Sequence, residues 1–322
     1  MSARAYRAYV FASAVLPFLA VIVAIVLLWN RAVGVLDLVL LAVFYSLSLL
    51  GLTAGYHRLL GHRSFKTTPP VRFLLGLFGS MAAEGPPITW VAHHRRHHAT
   101  ADHEGDPHSP HANGYEGTLR GLWHAHMGWL FDLSLTSQPT RYAPDLIREP
   151  GMRWLTKHFY EIVLAGIVLP GLIAFAFTRT AAGFLEGMLW GGLVRIFLAH
   201  HVTYAVASVG HYFGPRAFQT DDESRNVAWL AVPSFGDSWH NNHHAFPTSA
   251  NHGLTRRQVD LSGMFIRGLE RAGLAWDLVR IRPTRIESKE IDPPEAGNPA
   301  ARRFAKHALR EPVREDDPVA AK

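Results

Sequence analysis

Residues 9–29 read YVFASAVLPFLAVIVAIVLLW and, after NRA, residues 33–53 read VGVLDLVLLAVFYSLSLLGLT. The first run carries no charge and the second carries only Asp37. At a helical rise of about 1.5 Å per residue, each is long enough to cross a hydrocarbon core of roughly 30 Å. With only Asn30, Arg31 and Ala32 between them, the two runs are expected to pair as a tight antiparallel hairpin. A second apolar pair, 161–178 and 183–202, is joined near Arg179. A cleaved signal peptide, with Arg4 and Arg7 ahead of an apolar core, would account for the first run alone. The run is long for such a core, and a second span follows at once. The expected fold class is therefore all-α and integral to the membrane, with four transmembrane helices.

Four spans place both termini on one side, together with residues 54–160 and everything after about 203. The short connecting loops carry only Arg31 and Arg179, whereas Arg4, Arg7, Arg58, Arg63, Lys66, Arg72, Arg95, Arg96 and Arg120 fall on the other side. The positive-inside rule makes that side cytosolic, in the inner membrane if the cell is bacterial. The stretch from Val71 to Ala83 is too short to span and lies between Pro69–Pro70 and Pro86–Pro87, so it reads as an interfacial or re-entrant helix.

The whole composition agrees with a membrane protein. Of 322 residues 48% are hydrophobic and 18% charged, and a mean hydropathy of +0.03 conceals their segregation into blocks. The absence of cysteine excludes disulfides, thiol catalysis and cysteine-ligated clusters within the chain. A net charge of +6 fits a membrane surface and anionic substrates better than nucleic acid. One catalytic unit is expected over residues 1–282, and the tail 283–322, rich in Pro, Glu, Arg and Lys, is expected to be cytosolic and partly disordered.

Beside these spans lie clustered histidines. HRLLGH contributes His57 and His62, HRRHH contributes His94, His97 and His98, and HNNHH contributes His240, His243 and His244; His211 stands alone. Histidines at i, i+3 and i+4 share one face of a helix, and two copies of that pattern would be costly as mere packing, because buried imidazoles need partners. His57 and His62 are five apart, about 500° on a regular helix, which favours a helix end or a break near Gly61 over a straight ligand face. So many neutral imidazoles exceed the capacity of one ion, so two metals are implied. Imidazole suits iron, zinc, copper and nickel alike; an all-nitrogen pair of sites with open positions points more to redox-active iron than to a scaffold. The remaining histidines read as ordinary hydrogen-bonding residues, with His108 and His126 the best candidates for supporting the metal ligands.

These stretches resemble a known family. HRLLGH, WVAHHRRHHATADHEGDPHSP and WHNNHHAFPTSANHGL, over roughly residues 35–275, are similar to the three histidine boxes of membrane fatty acyl desaturases of the acyl-CoA delta-9, stearoyl-CoA desaturase-like type. The resemblance implies a four-span bundle under a cytosolic helical cap, a di-iron centre, and dehydrogenation of a long acyl thioester by dioxygen. It implies His57, His62, His94, His97, His98, His240, His243 and His244 as iron ligands, with His211, in VASVGHYFG, as the family's additional ligand. There are two departures. The usual asparagine four residues before that last histidine is Ala207, and the usual G-E-G before the third box is Gly236, Asp237 and Ser238.

The chemistry suits the construction. An unactivated methylene has no acidic proton, so a metal–oxygen oxidant rather than a general base must take its hydrogen. The chain must then lie in a narrow apolar tunnel shielded from water. Trp90, Trp123, Trp129 and Phe131 are candidates for its wall or for interface anchors, and Arg58, Arg95, Arg96 and Arg120 for a carrier's phosphates. Two of the four electrons that reduce dioxygen come from the substrate. No dinucleotide fingerprint or haem motif is present, so the other two are expected from an external ferredoxin or cytochrome b5-type donor with its reductase. Acetylenase, hydroxylase or decarboxylase chemistry on acyl chains or alkanes is the alternative within enzymes. A metal-binding membrane protein without catalysis is the alternative outside them.

Overall fold

The computed structural model describes residues 3–29, 33–112, 114–115, 118–132 and 136–291. It is helical, with four helices long and apolar enough to cross a membrane. They are α1 (Ala3–Trp29), α2 (Val35–Gly61), and a later pair at Phe159–Thr178 and Ala181–His211. Their outward faces expose Phe11, Ile25, Val39, Leu164 and Leu172 by roughly half or more. So much bare hydrocarbon is stable only against lipid.

The second and fourth spans run past the ends expected at Thr53 and Val202, to Gly61 and His211. At 27 and 31 residues they are about 40 and 46 Å long, so they exceed a hydrocarbon core of roughly 30 Å by about two and three turns. His57 and His211 lie in these extensions, near the ends of continuous helices.

Between α2 and the later pair, α3 (Pro69–Met81) packs against α2 and α4 (Pro87–Thr100) follows it, each started by prolines at its first turn. This places the short 71–83 stretch on the flank of α2. The approach is close: a Cβ on Gly51 would sit 2.0 Å from Gly79 N. Helix α5 (Leu119–His126) follows. The spanning pair, α6 (Phe159–Thr178) and α7 (Ala181–His211), packs through small residues, since a Cβ on Gly187 would meet Pro170 O at 2.5 Å.

Arg195 ties the bundle together. It is fully buried, and its guanidinium donates to Gly191 O, Ser48 Oγ, Met81 O and Gly166 O. It thereby joins α2, the end of α3, α6 and α7 through neutral acceptors.

The cap is completed by α8 (His240–Ala245), α9 (Leu261–Arg271) and a two-residue antiparallel pair, Lys66–Thr67 with Ala275–Trp276. Residues 283–291, placed in the tail by sequence, lie against the cap. Ile286 is buried beside Phe218 and Phe246, and Lys289 Nζ donates to Ala245 O at 3.0 Å. Residues 292–322 lie outside the described residues.

Candidate metal centre

Four elements converge above the bundle. The end of α2 supplies His57 and His62, α4 supplies His94, His97 and His98, the end of α7 supplies His211, and α8 supplies His240, His243 and His244. The nine imidazoles form two groups. One holds His57, His62, His94, His98 and His243, the other His97, His211, His240 and His244, and within each group one ring nitrogen of every residue lies within 4.8 Å of the others. The second and third boxes are therefore divided between groups.

The first box reaches its place by a change of helix type. Residues 51–61 of α2 are π-helical, and His62 N donates to His57 O at 3.0 Å, an i→i+5 bond. Five residues then make about one turn, so the two rings share a face at 5.2 Å between centroids, and the helix ends at Gly61. The third box is held by its asparagines. Asn241 Oδ1 accepts from Ala217 N and Phe218 N at 2.7 and 2.8 Å, and Asn242 donates to His252 O and Gln258 Oε1.

Four aspartates fix ring tautomers. Asp237 accepts from His57 Nδ1, Asp102 from His211 Nδ1 and Asp222 from His244 Nδ1, each at 2.7 Å, and Asp106 accepts from His97 Nδ1 at 2.9 Å. Burial would raise these carboxyls, but the facing imidazoles and nearby backbone N–H groups hold Asp102, Asp106 and Asp222 well below the ordinary carboxylate range. Burial, then the crowd of neighbouring imidazoles, holds His62, His94, His98, His240 and His243 well below the ordinary histidine value, so their lone pairs are free.

The donor set fits a bound cation at each group. His97 and His244 both commit their Nδ1 proton to an aspartate, so two Nε2 lone pairs face each other at 3.4 Å, an arrangement that is repulsive without positive charge between them. The Nε2 atoms of His57 and His243 are 3.0 Å apart, those of His98 and His243 2.8 Å, and those of His211 and His240 2.9 Å. Two nitrogens at right angles around an ion at 2.0–2.1 Å are separated by about 3 Å.

Both groups border a cavity of about 490 Å³ whose walls include Trp90, Trp129, Tyr160, Thr203 and Ala207. Trp90 also stacks on His94 at 5.2 Å between centroids. At the cavity Glu84 accepts from Trp90 Nε1 at 3.2 Å and from Thr203 Oγ1, and burial pushes its carboxyl up to about 7. Trp123 and Phe131 are not in this wall; their side chains are 59% and 51% exposed.

The candidate phosphate-binding arginines are elsewhere engaged. Arg58 is buried between Asp237 and Asp260. Arg95 pairs with Asp145 and donates to Gly61 O, Leu60 O and Tyr142 O, while Arg96 donates to Gly105 O and Thr136 O. Arg120 is exposed beside Tyr115.

Sequence reasoning passed over the four aspartates as partners, and it read His252 as ordinary. His252 is buried, with its Nδ1 3.2 Å from Asp237 and its ring 4.4 Å from that of His243. The signal available for Asp102 and Asp106 was their place directly after the second box. His108 does stack on His97, at 4.4 Å. His126 instead bonds Ser208 and His201, away from the nine.

Comparison with known proteins gives the class. The fatty acid desaturase family model matches residues 34–264. The chain is 40% identical over 86% of its length to the hex-5-enoyl-[acyl-carrier protein] acetylenase of Moorena producens, covering 87% of that protein. It is 40% identical to delta-9 acyl-lipid desaturase 1 of Arabidopsis thaliana, over 73% of each chain. It is 38% identical to the sn-1 stearoyl-lipid 9-desaturase of Anabaena variabilis, over 71% of this chain and 78% of that one. The chain belongs to the fatty acid desaturase family, and is an oxidoreductase acting on fatty acyl chains.

Proposed function

We propose that this protein is a di-iron acyl desaturase that inserts a double bond into a long acyl chain lying in the cavity beside the two histidine groups. The observation that carries the reading is the convergence of nine ring nitrogens in five-membered and four-membered groups bordering one cavity. His57, His62, His94, His98 and His243 would hold one ion, and His97, His211, His240 and His244 the other. When bound, iron supplies dioxygen activation and the power to remove hydrogen from an unactivated methylene.

The chain's own residues supply position and exclusion of water. Trp90, fixed against His94 and Glu84, sets where a methylene passes the five-histidine group. Burial, which pushes the Glu84 carboxyl up to about 7, lowers the charge it carries beside the channel. The acyl carrier of the closest chemical expectation, CoA, competes with acyl carrier protein and lipid-bound chains, which are what the relatives' names state. A ferredoxin or cytochrome b5-type protein with its reductase would deliver two electrons at the cytosolic face, the side the positive-inside rule gives to the metal site and both termini.

The test is gas chromatography–mass spectrometry of total acyl chains, with double-bond positions derivatised, in an aerobic host supplying a competent electron donor. A new unsaturated chain that disappears with His97→Ala and without oxygen is the expected result. The acetylenase similarity supports a second reading, a triple bond formed from an existing double bond, and the same chromatogram separates the two. No new acyl product from a metal-loaded enzyme with a working donor would count against both.

A further inference from the structure

The two histidine groups differ in their electrostatic surroundings, and the difference lies wholly in residues that would not touch a metal. In the four-histidine group three of four imidazoles are backed by a carboxylate: His97 by Asp106, His211 by Asp102 and His244 by Asp222. Each of these carboxylates acts only as an acceptor. Asp102 also takes Ser109 Oγ and Glu223 N, Asp106 takes Asp102 N and His108 N, and Asp222 takes Ser224 N and Thr220 Oγ1.

In the five-histidine group the described contacts give one imidazole of five, His57, a carboxylate. That carboxylate, Asp237, is shared with the buried Arg58, which also binds Asp260. A second guanidinium, Arg95, bonds Gly61 O directly before His62 and is paired with Asp145. The formal charge beside the four-histidine group is thus −3. Beside the five-histidine group Asp237, Asp260 and Asp145 are offset by Arg58, Arg95 and Arg63, leaving no net formal charge.

A carboxylate behind a ligating imidazole raises its basicity, and nearby negative charge stabilises the more highly charged metal. Building on the two-ion reading above, we infer that Asp102, Asp106 and Asp222 are positioning residues that make the two metal positions redox-inequivalent: the four-histidine ion is oxidised first and reduced last. With iron bound, Asp102, Asp106 and Asp222 would hold the four-histidine position at the lower potential, so the external one-electron donor named above would reduce the five-histidine position first and the four-histidine position with its second electron.

The test uses the full chain in detergent, loaded with ⁵⁷Fe and titrated stepwise with dithionite through mediators, with Mössbauer spectra at each potential. Two iron components of equal area should be reduced in sequence, their midpoints separated by at least the 59 mV that corresponds to a tenfold difference for a one-electron couple. Asp222→Asn should raise the lower midpoint and leave the higher one in place, Asp237→Asn should move only the higher one, and Asp222→Glu should restore the wild-type value. Coincident midpoints in the wild-type protein would overturn the inference without any variant. So would an Asp222→Asn shift shared equally by both components. If Asp222→Asn loses iron, the wild-type separation and Asp237→Asn still decide the matter. A preparation that binds fewer than two irons per chain defeats the two-ion reading itself, and this inference with it.

Discussion

Replacing Arg58 by methionine tests whether the metal centre stands on its buried ion pairs. Arg58 has no exposed surface; it donates to Ala250 O and Asp260 at 3.0 Å each and to Asp237 at 3.0 Å. Methionine matches much of its volume but leaves two buried carboxylates without their cation. Asp260 keeps the N–H groups of His252, Gly253 and Gly263, so the loss falls mainly on Asp237, whose remaining partners are the imidazoles of His57 and His252. Breaking a buried pair by removing one partner costs about 3–5 kcal/mol. At roughly 2–4 °C per kcal/mol for a chain of this size, the melting temperature should fall on the order of 10 °C. Asp237, no longer anchored by Arg58, should hold His57 less firmly in place, so metal content should drop, with the five-histidine ion lost first. Lysine keeps the charge but cannot bridge two carboxylates with a planar fork, so Arg58→Lys should be intermediate. Thermal scanning in detergent and metal analysis on the same samples read both effects. Arg58→Met binding two metals per chain and melting within about 2 °C of the wild type would refute the reasoning.

Two further outcomes follow from the same structure. Burial holds His244 and His252 down at about 4, helped at His252 by the Arg58 guanidinium and only partly opposed by Asp222 and Asp237, so the fold favours their neutral forms. Their contribution is complete above the ordinary histidine value and is lost as pH falls from there toward 4, at about 1.4 kcal/mol per pH unit for each such group. Metal content and melting temperature should therefore decline together below about pH 6.5, and flat profiles between pH 8 and 5 would contradict this. At the crossing of α2 and α3, Gly51→Val places its Cβ against the backbone of Phe78 and Gly79, where no rotamer gives relief, and should abolish stable folding. Gly268→Ala, in α9 with nothing within 4 Å, should instead stabilise by roughly 0.5–1 kcal/mol, and equal melting temperatures for the two variants would argue against the crossing.

Much of this architecture was legible in the sequence because hydrocarbon is an exacting solvent. Unbroken apolar runs of that length must be helices, so the four spans could be counted directly. The ends of the second and fourth spans were not legible. From Thr53 to Gly61 and from Val202 to His211 the helices continue into the polar and aromatic residues of the cap, so hydropathy falls while helix persists. The cap's aspartates were hidden for a different reason. Asp102 and Asp106 follow the second box closely, but Asp222 and Asp237 reach their histidines only through the fold, 22 and 180 positions from His244 and His57.

HRLLGH shows where a spacing argument succeeds and what it still needs. On an α-helix His57 and His62 diverge by about 140°, so the spacing alone demanded some departure from regular helix before both could serve one centre. The departure observed is an eleven-residue π-helical segment, in which five residues complete about one turn. Its cause is visible on its outer face. Gly51 and Gly55 accept the backbone of α3 at contact distance, and Tyr56 is pinned by its hydroxyl to Ser80 Oγ at 2.7 Å, while Arg58 is drawn inward to Asp237 and Asp260. With about five residues per turn Gly51, Gly55 and Tyr56 share the face against α3 while Arg58 lies on the opposite side, whereas an α-helix would turn Tyr56 about 140° from Gly51 and bring Arg58 back beside Gly51 and Gly55. Tertiary packing thus selects the wider turn, and the wider turn aligns the two imidazoles. The chemistry encoded by one short box therefore depends on the packing of α3 and on a buried arginine that the box itself does not announce.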